Sequence, residues 1–150
     1  VKKGDKLGQF SDYLQMQVGS AYYYLGETYF ALENNNQARN AFSKSLEMDA
    51  NPRSQDVSKH PSLRVMECFN AENKTAEAID YGSKVLENLL EKDTRNRKVD
   101  LKAELHLSLA RIHAMTDNLE AAQDHLEQCL YWNRSYQDRI EKDPVLSKLK

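Results

Sequence analysis

The stretch "LGETYFALENNNQARNAFSKSLEMD" (residues 25–49) decides the fold. Leu25-Gly26 opens it, Tyr29 stands three residues after the glycine, Ala38 nine after Tyr29 and Phe42 four after Ala38. Upstream, Tyr13, Leu14, Val18, Ala21, Tyr22, Leu25, Tyr29 and Leu32 recur at three- and four-residue steps. That is the helical period, and it predicts a helix over 12–33 with Ser11 as its N-cap. Asparagine competes for backbone hydrogen bonds, so Asn34-Asn35-Asn36 reads as a turn. A second helix follows over 35–48, with Ala38, Ala41, Phe42, Ser45 and Leu46 on one face.

The spacing recurs. Thirteen residues before Ala38, Ala78 and Ala122 stand Leu25, Val65 and Leu109; nine before them stand Tyr29, Phe69 and His113; four after them stand Phe42, Gly82 and Leu126. The steps between the alanines are 40 and 44 residues. Each copy reads as two helices joined by a short turn, which must pack antiparallel. The small residues Gly26, Ala38, Ala78, Ala110 and Ala122 let the helix axes approach. Pro52 and Pro61 exclude helix from 49–61, which reads as an inserted loop. "KDTRNRK" (92–98) is a second polar break, and Asp143-Pro144 ends one helix and starts another short one.

Composition agrees. The 150 residues suit one domain, with few glycines (5) and prolines (3) and many helix formers. The net charge of -2 points away from nucleic acid, and no apolar run approaches a membrane span. Arg95, Arg97, Lys98 and Lys102 cluster, but Asp93, Asp100 and Glu104 interleave with them, as on a solvated loop. The chain opens at Val1 rather than at a methionine, as a segment of a longer protein would. Cys68 and Cys129 lack CxxC spacing and read as buried small apolar residues, which fits a reducing, cytoplasmic setting.

The L-G pair, the aromatic and the A-x3-F spacing resemble the tetratricopeptide repeat family. The first copy matches best, through Tyr22, Leu25, Gly26, Tyr29, Ala38 and Phe42; the second departs most, with Met66 in the glycine slot and Gly82 in the bulky slot. The resemblance implies an all-α, right-handed superhelix of three antiparallel hairpins (about 12–48, 60–92 and 97–134). Residues 1–11 would be a tail or the end of an upstream element, and 135–150 a capping helix. It also implies a concave groove lined by the first helix of each pair, where a peptide or helix of another protein binds. Mapped through the alignment, that face carries Tyr23, Glu27 and Phe30, then Leu63, Arg64, Glu67 and Asn70, then Leu107, Arg111 and Ala114; the alternative is that some of these only contact the apolar end segment 136–150 folded into the groove. The expected function is a protein–protein interaction scaffold or adaptor, monomeric or weakly oligomeric. The alternative is a structural subunit that assembles through its convex face or termini. Family members that grip acidic chaperone tails use a clamp of lysines, asparagines and an arginine. Tyr23, Glu27, Arg64, Glu104 and Ser108 stand in those places here, and two acids would repel such a tail.

Signals of catalysis are missing from the sequence: no Gly-rich phosphate loop, no G-x-S-x-G, no H-E-x-x-H. His106, His113 and His125 share neighbouring helix faces but are joined by no clustered carboxylate or thiolate, so they read as packing residues rather than metal ligands. No enzyme activity, cofactor or metal is expected.

Overall fold

A computed structural model describes residues 3–48 and 56–149, with side chains from Gly8 onward. It divides into two compact units, one ending at Asn73 and one beginning at Lys74. The described residues form helices and turns, without a strand.

The first unit holds α1 (Lys3–Ala31), α2 (Asn35–Glu47) and α3 (Pro61–Ala71). α1 begins at Lys3 rather than after Ser11. No proline interrupts residues 3–10, and the isolated Gly4 and Gly8 weaken a helix without ending it. α1 turns into α2 through Glu33, whose φ is 60°, and the Asn34 amide donates back to the Tyr29 carbonyl at 2.9 Å. This is the left-handed closure common at helix C-termini. Asn34 then caps α2 by accepting from the Gln37 amide. Asn73 (φ 60°) and Asp117 (φ 61°) repeat the same conformation, each five residues before its aligned alanine, as Glu33 is before Ala38. The sequence period is thus also a backbone period.

α2 packs on both α1 and α3. Phe42 is wholly buried, edge-on to Tyr23 with ring centroids 5.4 Å apart. Gly26 makes room for it: a Cβ there would stand 2.7 Å from two Phe42 ring carbons. Arg39 ties α2 to α3, pairing with Glu72 at 2.9 Å while its guanidinium lies 4.3 Å from the Phe69 ring centre. The part of the 49–61 loop that is described, from Asp56, forms a 3-10 turn over Val57–Lys59. His60 accepts from the Ser62 amide and caps α3, and Pro61 occupies the first helical turn. Residues 49–55 of that loop lie outside the described residues.

The second unit holds α4 (Thr75–Lys92), α5 (Val99–Met115), α6 (Leu119–Trp132) and α7 (Gln137–Lys142). α5 packs on α4 and forms a hairpin with α6. In place of a single capping helix, residues 134–148 form a 3-10 turn, the six-residue α7 and a second 3-10 turn. Pro144 follows Asp143, whose carboxylate accepts from the Val145 and Leu146 amides at 2.8 and 3.1 Å and so begins a new turn. Tyr136, Ile140 and Leu146 close one core with Ala103, Leu107, Ala110 and Cys129. Each unit buries one free cysteine, Cys68 and Cys129. Burial pushes both thiols up to about 12.

The Gly26–Phe42 contact yields a prediction. Gly26→Ala gains helix propensity but forces the buried ring to move, and the net cost is about 1–2 kcal/mol. Urea unfolding checks it. Combining it with Phe42→Leu should make the two changes non-additive, with Gly26→Ala costing less when the ring has been removed.

Candidate protein-binding face

In the first unit, α1 and α3 bring Glu27 and Arg64 together. Arg64 Nε lies 2.8 Å from Glu27 Oε1, and its Nη1 lies 2.8 Å from Glu67 Oε2. One guanidinium therefore serves two carboxylates, its fork meeting acceptors on both helices. Phe30 and Asn70 are half-buried one turn further along the same helices, and Glu67 is exposed. Tyr23 and Leu63 lie deeper, 5% and 3% exposed. The Tyr23 hydroxyl donates to the Lys59 carbonyl at 2.7 Å. Of the three consecutive tyrosines, only Tyr24 projects into solvent, while Tyr22 is half-buried beneath the Lys44 ammonium.

In the second unit, the residues mapped to the groove meet the protein's own C-terminal segment. Leu107 is buried in the core that Tyr136, Ile140 and Leu146 complete. Arg111 pairs with Asp143 at 3.1 Å. Beside them, Glu104 is buried, accepts from the Tyr136 hydroxyl at 2.9 Å and pairs with Arg139. Asn133 donates to the Asp100 carboxylate at 2.7 Å. Burial, with the Glu104 carboxylate beside it, pushes the Tyr136 phenol up, so it stays a donor at all ordinary pH.

Lys102 and Glu104 depart from the sequence reading of α5, because both read as exposed members of a mixed-charge loop. Lys102 is 1% exposed. Its ammonium lies 3.0 Å from both Asp93 Oδ2 and Asn96 Oδ1, and 4.2 Å from the Trp132 ring centre. The Lys98 amide, then that of Arg97, donates to Asp93, and with Lys102 they hold its carboxyl down to about 2. A signal for both was present: Lys102 and Glu104 sit between Leu101, Ala103 and Leu105. A charge inside an apolar run needs a partner.

The three histidines gather on the α5/α6 hairpin. His106 Nδ1 and His125 Nδ1 are 2.9 Å apart, so one ring donates and the other accepts. His113 stacks on His125, with centroids 5.5 Å apart. Burial, then the neighbouring His125, pushes His106 down to about 4. Burial also lowers His113 and His125, with His113 lowering His125 further and Asp124 opposing. Among the described residues, no group of three or more His, Cys, Asp or Glu is placed to hold a metal ion. No helix there is long and apolar enough to cross a membrane.

The histidine cluster makes stability depend on pH. The folded His106 value lies below the ordinary 6.5, so the unfolded chain binds more protons between the two values. Its contribution is complete above about pH 6.5 and is lost as the pH falls toward 4. Unfolding free energy should drop by about 2 kcal/mol between pH 7.5 and 5.0 through this site. His106→Gln should remove most of that drop, as measured by urea unfolding at the two pH values.

Models of the tetratricopeptide repeat match residues 19–52 and 103–136. Both windows begin nineteen residues before an aligned alanine, Ala38 and Ala122, so they share the phase of the backbone turns. No curated protein sequence and no solved structure gives a significant match. Repeats of this kind generally mediate protein–protein interaction and scaffolding and are generally non-catalytic. Two matched windows, helical hairpins with a common closing turn and the Gly26–Phe42 contact agree: the chain carries tetratricopeptide repeats at residues 19–52 and 103–136.

Proposed function

We propose that the chain is a non-catalytic interaction module that binds a peptide or helix of another protein on the α1/α3 face of its first unit. The observation that carries this reading is the Glu27–Arg64–Glu67 group, flanked by the half-buried Phe30 and Asn70. Two carboxylates around one guanidinium leave acceptor capacity for a second cation. The partner segment is therefore basic and apolar: a Lys or Arg for Glu67 and Glu27, and an apolar side chain beside Phe30. Tyr23 and Leu63 support this face from beneath. Leu107 and Arg111 serve the C-terminal segment instead, since both are engaged by residues 136–146.

The same face disfavours an acidic chaperone tail. Arg64 is already neutralised by two carboxylates, and Glu104, at another clamp position, is a buried acid. The middle segment, about 60–92, is read as a third repeat, supported by its turn at Asn73 in phase with the other two. A cytoplasmic location fits the two unpaired, buried cysteines.

Capture from a lysate by the wild-type chain and by Glu67→Lys, side by side, tests the site. Glu67 is exposed and Arg64 keeps its contact with Glu27, so Glu67→Lys should match the wild type in helicity by circular dichroism before the comparison is made. Partners recognised through this face should bind Glu67→Lys about fivefold more weakly or worse. On a peptide array, basic–apolar segments should be retained and acidic tails should not. Equal retention of every partner by both proteins would remove the α1/α3 face from the site.

A further inference from the structure

Among the described residues, a second apolar face of α1 remains uncovered. Phe10, Tyr13, Leu14, Val18, Tyr24 and Leu25 are all exposed, with Phe10 at 60% and Tyr24 at 69%. At 100° per residue they fall within an arc of about 140° on the side of α1 opposite Tyr23 and Gly26. The arc repeats every eleven residues: Phe10 returns as Ala21, Tyr13 as Tyr24 and Leu14 as Leu25. Eleven residues are close to three helical turns, so the stripe runs nearly straight along the helix. From Gly8 to Ala31 the only charged residues are Asp12 and Glu27, both outside the arc.

The aligned positions show what such a face ordinarily does in this chain. α3 packs on α2 and α5 packs on α4. Val65 and Leu109, aligned with Leu25, are 2% and 0% exposed, whereas Leu25 is 42% exposed. Ala21 is exposed where its counterparts Pro61 and Leu105 are buried. The stripe has the composition of a helix-packing surface without the helix.

We propose that this stripe pairs with the same stripe of a second copy, as a symmetric α1–α1 dimer. Three observations choose that occupant. The stripe carries no charge, so two copies meet without like-charge repulsion. Tyr136, Ile140 and Leu146 already fill the face of the α5/α6 hairpin formed by Ala103, Leu107, Ala110 and Cys129, so that face does not receive the stripe of another copy, and a two-fold pairing of stripes closes on itself. Six half-exposed side chains offer on the order of 500 Å² per copy. Two copies reach about 1,000 Å², the lower end of a specific interface, which suits a weak dimer. Ala21, the small residue between Val18 and Tyr24 on the stripe, sits at the crossing.

Sedimentation equilibrium on the 150-residue chain over roughly 1–500 µM tests this. The wild type should rise to twice the monomer mass. Leu14→Glu/Leu25→Glu, with helicity confirmed by circular dichroism, should remain monomeric. A wild type that stays monomeric over the whole range overturns the proposal. So does a folded double variant that associates undiminished. Should the double variant lose its helicity, Ala21→Cys decides. Its oxidation to a cross-linked dimer must outpace that of Lys84→Cys, an exposed control on α4, and equal rates overturn the proposal.

Discussion

The first unit depends on how closely two helices of one hairpin can approach. Gly26 offers no side chain where Phe42 needs space, and Phe42 fills that space completely. Tyr23 then rests edge-on against Phe42, and its hydroxyl reaches the Lys59 carbonyl. One missing methyl group thus helps set the position of α2, of Tyr23 and of the chain entering α3. The Glu27–Arg64–Glu67 group is built on top of that arrangement, since Glu27 follows Gly26 directly.

A different constraint shapes the second unit. α5 is enclosed by α4, α6 and the C-terminal segment, yet it carries Lys102 and Glu104. An unpaired buried charge is too costly to keep, so each recruits neighbours. Lys102 draws in the 93–98 turn through Asp93 and Asn96, and Trp132 from α6. Glu104 draws in Tyr136 and Arg139. Breaking either pair strands its partner, so the two charges specify where the loop and the C-terminal segment dock more than they add stability. Arg111 and Asp143 repeat the logic at a more exposed position.

The helices and their phase were legible in the sequence because a 3.6-residue period and a fixed alanine spacing report directly on packing. The start of α1 was not. Ser11 has the chemistry of a cap but stands inside a helix, and capping requires a non-helical backbone that composition does not reveal. After Trp132 the break at Asp143-Pro144 was legible, but the 3-10 turns on either side of the short α7 were not, because the segment keeps a helical pattern. Alignment names candidate groove positions but not their surroundings. Leu107 and Arg111 are engaged by residues distant in sequence, and Tyr23 by a backbone carbonyl thirty-six residues away. Alignment assigns a face to a residue; it is silent on what the rest of the chain lays over that face.

The two cysteines carry a consequence of their own. Cys68 and Cys129 are fully buried, one in each unit, with thiols held far from ionisation at neutral pH. A thiol reagent reaches either only when its unit opens. Each unit therefore contains a built-in clock for its own opening, already present in the natural sequence. Their two labelling rates distinguish a chain that breathes as two independent bodies from one that opens as a whole.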